Sequence, residues 1–489
     1  MVGNQFTRRH DVRVGVSLRP SALRWMRPAP FALCIGFAGA LAVAMLQREQ
    51  PFYTDSGGYW ELGTTFSVLG HFSLLNFHDQ LKGYSWPLVT YGLQTLSSDL
   101  AWTASATVKG FNALMFAVVG ALLGPALAKA VWPAQPRWGI SRRLALTALL
   151  IVFWRGFMNI PLSDFPALTM ALVTLVAIAR IDNPGWMLLA GVALGVTINI
   201  RVSYLPLMPA VLVLIAWEWF DQRGAAHAST AHRLLCVGLL VLGFAVASLP
   251  QSLSAHRYFK TWSFLAGATQ PESEGEFYGP GIGVQSYDAF LSEGEVKIEG
   301  KYLYPEGQRL LERLPGGKVT STSQYLGLYE NHPLVMGGML VRHVINGLDP
   351  LHDSPYAEST NGIGRTWGRI AGFLLLFVAL LRVMWPEARR MLGRGRLRYL
   401  PTLVLCCVLT WPTQVERRYM LPVYVLVYVL ALTPKWPKVF GDAGARRYRA
   451  AVLIGAAFMV YAAVVWYMTS DALNHLELVN GLTREIVQG

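Results

Sequence analysis

Charge is scarce in this chain. Only 15% of its 489 residues are Asp, Glu, Lys or Arg, against about 25% in an ordinary soluble domain, and the mean hydropathy is +0.36. Those figures exclude a cytosolic enzyme. Cysteine is scarce as well. Cys34, Cys236, Cys406 and Cys407 all lie inside apolar runs, with neither zinc-site spacing nor the density of a disulfide scaffold. No internal repeat and no low-complexity tract is visible, which argues against a fibrous protein. Disorder is excluded by the 16 Trp, 20 Tyr and 22 Phe, because a disordered chain needs low hydrophobicity.

What the chain has in abundance is long apolar runs. A helix crossing a ~30 Å hydrocarbon core needs about 20 mostly apolar residues. Eleven runs meet or approach that length, at residues 29–47, 109–131, 143–160, 165–180, 185–200, 203–220, 233–250, 366–384, 399–413, 419–434 and 449–469. The expected fold is an all-α polytopic membrane protein with about 11 transmembrane helices, in a range of 10–13. Ala42-Val43-Ala44 fits a signal-peptide cleavage pattern. The first run is nevertheless read as an anchor, since it is long and no ordinary secreted domain follows it.

The net charge of +13 needs no nucleic acid to explain it. With the N-terminus in the cytoplasm, the inside segments are 1–28, 129–143, 180–184, 217–233, 382–398 and 435–449. They hold 24 Lys and Arg against 6 Asp and Glu, while the rest of the chain holds 18 against 23. Lys and Arg concentrate in this way on the cytoplasmic side of membranes. The organisation that follows is a basic cytoplasmic arm (1–28), a transmembrane core (29–250) with a first outer loop (48–107), and a small extracytoplasmic unit between spans seven and eight (251–365). C-terminal transmembrane helices (366–469) and an outer tail (470–489) complete it. An outer surface of that size without an Asn-x-Ser/Thr sequon points to a bacterial inner membrane.

The first outer loop opens with Pro51-Phe52-Tyr53-Thr54-Asp55-Ser56-Gly57-Gly58-Tyr59-Trp60-Glu61. Thr54 to Ser56 suits the N-cap of the helix that Tyr59 to Val68 predicts. The functional alternative makes Asp55 a general base at the water boundary, its pKa raised by partial desolvation. Further on, Gly83-Tyr84-Ser85-Trp86-Pro87 reads as part of short helices lying in the interface. His71, His78 and Asp79 show no tight ligand pattern and read as solvated loop residues, so no metal and no cofactor is expected.

Arg155, within Phe153-Trp154-Arg155-Gly156, is a charge inside span three, a placement costing about 2.5–3.5 kcal/mol on insertion scales. Asp164 follows in the next outer turn, within snorkelling reach, so the two read either as a structural pair or as ligand contacts. Span five ends at Asn199-Ile200-Arg201, and span ten is entered through Gln414-Val415-Glu416-Arg417-Arg418-Tyr419. Arginines and carboxylates thus gather at the outer boundary of spans distant in sequence. A guanidinium matches phosphate oxygens bidentately; anchoring to lipid headgroups is the plainer reading. His332 and His343, in an amphipathic stretch from Asn331 to Leu348, read as interfacial.

Together these motifs resemble the C-type fold of integral membrane glycosyltransferases, which includes protein O-mannosyltransferases and aminoarabinose transferases of lipid A. The likeness is carried by Asp55 with Tyr59 following, by Gly70 and Trp86-Pro87, and by the Leu162-Ser163-Asp164-Phe165-Pro166 turn. Arg201, Pro250 leading into Arg257-Tyr258-Phe259, and the Glu416-Arg417-Arg418-Tyr419-Met420-Leu421-Pro422 entry to span ten extend it over most of residues 30–435. Many members carry two adjacent acids in the first loop, whereas here Ser56 follows Asp55, which weighs against a metal there.

The resemblance implies a polyprenyl-phosphate sugar as donor, held in the lipid bilayer, and a glycan, lipid or protein as acceptor. It implies direct displacement with Asp55 as the catalytic base. Arg201, Arg417 and Arg418 would contact phosphate, and Asp164 and Glu416 would orient the sugar or the arginines, with Tyr59 and Arg155 completing the substrate-binding set. Two other functions stay open. One is an outer-face ligase or polymerase of lipid-linked glycans, relying on Arg and His in 251–365. The other is a lipid or solute transporter, against which the asymmetric placement of the long loops weighs.

Overall fold

The computed structural model describes residues 28–133, 137–221, 229–266, 274–291, 297–349, 355–357, 363–384, 399–408, 410–413, 415–433 and 444–479. The basic arm up to residue 27, most of the expected inside segments at 382–398 and 435–449, and the last ten residues of the tail lie outside the described residues.

Each expected apolar run coincides with a helix. After α1 (Pro28–Leu46) residues 48–107 fold into α2 (Thr54–Thr64), a small hairpin of β1 (Ser67–Val68) and β2 (His71–Phe72), and α3 (Ser85–Asp99). Then come α4 (Ala104–Val131), α5 (Ile140–Trp154), α6 (Asp164–Ile178), α7 (Pro184–Ile200), α8 (Leu207–Asp221) and α9 (Thr230–Phe259). The next unit holds α10 (Glu274–Gly283), β3 (Val284–Leu291), β4 (Lys297–Leu303), α11 (Pro305–Glu312), α12 (Thr322–Asn331), α13 (Pro333–Gly347) and β5 (Tyr356–Ala357). The chain continues through α14 (Ile363–Met384), α15 (Tyr399–Val408), α16 (Leu421–Ala431), α17 (Gly444–Asn474) and β6 (Leu476–Val479).

Among the described residues six stretches are long and apolar enough to cross a bilayer: Pro28–Leu46, Ala104–Val131, Val202–Phe220, Thr230–Phe259, Thr366–Val383 and Tyr448–Met468. The shorter helices share a feature. α6 begins at Asp164, α7 stops just before Arg201, and α16 begins three residues after Arg418. They are cut where the charged motifs stand. α6 and α16 are buried almost all round, as expected of helices apolar on every face.

Two packing devices shape the region beside residues 48–107. α7 and α9 meet backbone to backbone: a Cβ on Gly191 would stand 2.0 Å from the Leu240 carbonyl oxygen, and one on Gly243 2.3 Å from that of Leu188. Apolar helices associate closely through such small residues. Asn112 of α4 is buried and donates to the carbonyls of Phe157, Met158 and Ile160 at 3.1, 3.2 and 2.9 Å. That bonding fixes the turn leading from α5 to Asp164.

The all-α expectation holds for the apolar body but not for the unit at 251–365. That unit carries a four-stranded sheet in the order β5-β3-β4-β6. β3 and β4 are antiparallel, with an irregularity between Val284 and Ser286, β5 is parallel to β3, and β6 is antiparallel to β4 with Glu299 opposite Val479. One edge strand is thus supplied by the chain beyond α17, a pairing too distant in sequence for local alternation to disclose.

Candidate functional site

The chain enters α2 through Thr54 at φ 43°, a left-handed conformation costly for a β-branched residue. Tyr53 occupies the cap position and makes no side-chain cap bond; the Ser56 hydroxyl donates back to the Tyr53 carbonyl at 2.6 Å. Asp55, in the first turn, instead faces cations. Its Oδ2 accepts from Arg418 Nη2 at 2.9 Å and its Oδ1 lies 3.4 Å from Lys82 Nζ.

Arg418 is the hub of the cluster. It lies in the 3-10 turn Arg417–Met420 that leads into α16. Besides Asp55 it binds Glu416, through Nε at 2.6 Å and Nη2 at 2.8 Å, and its Nη1 stands 3.9 Å from Asp164 Oδ2. Asp164, buried at the start of α6, accepts from Arg201 through its other oxygen. The Arg201 guanidinium lies 4.6 Å from the centre of the Tyr419 ring, and the Tyr419 hydroxyl donates to Glu416 at 3.0 Å. Tyr59 completes this face, its ring 4.3 Å from Lys82 Nζ. Asp55, Asp164 and Glu416 thus balance Lys82, Arg201 and Arg418, and the cluster is neutral as a whole.

The support behind it is specific. Asp79 Oδ1 accepts the amides of Leu81 and Lys82 at 2.8 and 2.5 Å, an Asx turn that presents the Lys82 side chain. Next to it, the Ser85 amide donates to Asn199 at 2.8 Å and the Tyr84 amide to Gln251 at 3.1 Å. Gly83 presses against α7 so closely that a Cβ would stand 1.9 Å from the Asn199 carbonyl oxygen. Trp86 Nε1 donates to the Pro161 carbonyl at 3.0 Å, tying α3 to the turn that ends at Asp164.

Of the residues read as site candidates, Asp55, Tyr59, Asp164, Arg201, Glu416 and Arg418 come together. Arg417 and Arg155 do not join them. Arg417 is buried behind the cluster, donating to the Phe153 carbonyl at 3.4 Å, with its guanidinium 4.7 Å from the Trp154 ring and 5.6 Å from the Tyr424 ring. On a 3-10 turn neighbouring side chains diverge by about 120°, so Arg417 and Arg418 cannot face one ligand side by side. Arg155 is exposed, and the Asp164 it was read as pairing with is taken by Arg201 and Arg418. Among the described residues no group of three or more His, Cys, Asp or Glu gathers at metal-binding distances.

The electrostatics correct one expectation. Burial does push the Asp55 carboxyl up, but the charges of Arg418 and Lys82, the hydrogen bond from Arg418 and the charge of Arg201 outweigh it. They hold the group well below the usual carboxylate range. Tyr59 is raised, chiefly by burial, with the nearby carboxylates of Asp55 and Asp164 adding to it. Lys82 and Tyr419 were missed in the sequence. Lys82 had a signal, a lone cation in an aromatic stretch. Tyr419 had none beyond adjacency to the arginines.

The chain matches no family model and no curated protein.

Proposed function

We propose that this chain is an integral membrane glycosyltransferase of the C-type fold, which moves a sugar from a polyprenyl phosphate to an acceptor hydroxyl on the outer face of a bacterial inner membrane. The observation that carries the reading is the single guanidinium of Arg418, which brings together Asp55 from the first outer loop, Asp164 from the start of α6 and Glu416. Three chain segments distant in sequence thereby build one charged cluster where apolar helices end. The proposed topology has eleven spans and a cytoplasmic N-terminus. The pairing of β4 with β6 agrees with one part of it, an even number of crossings between those strands, because strands of one sheet lie on one side.

The chemistry follows from the arrangement. The acceptor oxygen attacks the anomeric carbon, the bond from that carbon to the phosphate oxygen breaks, the acceptor proton passes to Asp55, and the polyprenyl phosphate leaves with the electron pair. A phosphate needs no protonation to depart, so one base serves, with cations stabilising the charge that develops. Lys82 suits that task. It is partly exposed and its ion pair to Asp55 is long, at 3.4 Å, whereas Arg201 and Arg418 are engaged by carboxylates. An arriving phosphate that draws Lys82 and part of Arg418 away from Asp55 raises the carboxylate's basicity as the donor docks. Proton transfer is thereby tied to an occupied site. Asp164 is buried against Arg201 and Arg418 and orients those arginines.

The test is transfer by purified protein in nanodiscs from a panel of synthetic polyprenyl-phosphate sugars to soluble and lipid acceptors, with Asp55→Asn as the control. Transfer that Asp55→Asn abolishes supports the reading. Its absence across the panel, or movement of intact donor between leaflets instead, would sink it.

A further inference from the structure

The turn that carries Glu416 and Arg418 is held from outside the helical body. Ahead of it, residues 410–413 form a tight turn that the unit at 251–365 grips at several points. The Tyr325 hydroxyl of α12 donates to the Pro412 carbonyl at 3.1 Å, and the Tyr287 amide of β3 donates to the Val415 carbonyl at 3.2 Å. His343 of α13 sits between the two parts, fully buried. Its Nδ1 meets the Trp411 carbonyl and its Nε2 lies 2.9 Å from the Val284 carbonyl.

Two acceptors on one imidazole pose a question of protons. Burial holds the ring's pKa below its ordinary value, against the pull of the carbonyls of Trp411, Val284 and Gly281. The neutral ring has one N–H; assigning it to Nδ1 makes the ring a donor to the Trp411 carbonyl. α13 does not need His343 to stay on β3: Arg342 donates to Gln285 Oε1 at 3.1 Å and Asn346 to the Gln285 carbonyl at 3.3 Å. The distinct contribution of His343 is therefore the bond to the turn.

We propose that His343 is a positioning residue, which sets Glu416 and Arg418 against Asp55 by tying the Trp411 turn to the sheet-bearing unit. Its kinetic consequence rests on the glycosyl-transfer reading; the tie itself does not. Arg418 reaches Asp55 over 2.9 Å and Asp164 over 3.9 Å, so a displacement of the turn by about 1 Å disrupts both contacts, and such misplacements cost about a hundredfold in rate.

Two amide variants separate the bonds. The Asn amide nitrogen falls near the position of Nδ1, and that of Gln near the position of Nε2. Full-length wild type, His343→Asn and His343→Gln are compared in nanodiscs by hydrogen–deuterium exchange of residues 410–420 and by donor turnover. With His343→Gln, exchange in 410–420 rises about tenfold, the size of one lost hydrogen bond. Its kcat falls about tenfold or more, with donor KM within about twofold. With His343→Asn both stay near wild type. Equal exchange in the two variants overturns the proposal, as does unchanged kcat in a His343→Gln protein whose turn exchanges faster. Loss of the fold in both variants also counts against it, because Asn retains the donor said to matter. If wild type transfers no sugar, the enzymatic reading fails by itself, and the exchange comparison still decides whether His343 holds the turn.

Discussion

Replacing Asp55 with Asn should separate chemistry from stability, and comparison with Asp164→Asn makes the separation measurable. Arg418 is shared by three carboxylates of unequal exposure: Asp55 keeps 44% of its side-chain surface, Glu416 19% and Asp164 2%. Removing the charge of Asp55 leaves Arg418 still paired with Glu416, so no buried cation is stranded, and the loss falls in the range of about 0–1 kcal/mol typical of a partly exposed pair. Asp164 differs. It is the one carboxylate within ion-pair reach of Arg201 among the described residues, so Asp164→Asn leaves a buried guanidinium uncompensated, at about 3–5 kcal/mol. Activity should show a different pattern. Asp55→Asn removes the base and lowers the transfer rate about 10²–10⁴-fold, with donor affinity retained or improved as Lys82 is freed. The assays are single-turnover transfer and thermal unfolding followed by tryptophan fluorescence. The reasoning is refuted if Asp55→Asn keeps its rate within about threefold, or if it destabilises as much as Asp164→Asn.

Other outcomes follow from the same cluster. Asp55 has a pKa below that of the unfolded chain, so its ionised form stabilises the fold above the ordinary carboxylate pKa of about 4, and that contribution disappears as pH falls through the lowered value. The pH profile of kcat/KM should accordingly show no acid limb from this group between about pH 5 and 7, and an inflection there assigned to Asp55 would contradict the geometry. Lys82→Met should raise donor KM about tenfold and bring an acid limb up towards the ordinary carboxylate range, both readable in one pH series. Arg201→Lys should not substitute, because a compact ammonium cannot at once hold Asp164 and cover the Tyr419 ring as the guanidinium does; a melting temperature within a degree or so of wild type would disprove that. Gly83→Ala must move α3 away from the Asn199 carbonyl, and should reduce transfer much as Lys82→Met does, measured against a conservative change elsewhere on α3.

The sequence by itself determined that the chain is an apolar, helical body, because runs of that length and composition have no other way of satisfying their backbone than as helices in lipid or in a large core. It also marked Asp55, Asp164, Arg201 and the Glu416–Arg418 motif, since charges at the ends of such runs are costly and stand out. Lys82 was nearly as visible and was passed over among aromatic neighbours. Local pattern did not disclose the sheet, whose edge strand β6 comes from beyond α17, nor the sign of the shift at Asp55. Desolvation is a property of one residue's surroundings and pointed upward. The opposing pull comes from Arg418, Lys82 and Arg201, which approach Asp55 only once helices far apart in the chain have packed. Tertiary structure likewise decided between two adjacent arginines. One turn of 3-10 helix sends Arg418 to the carboxylates and Arg417 between Trp154 and Tyr424, because backbone geometry divides neighbouring side chains while composition cannot tell them apart.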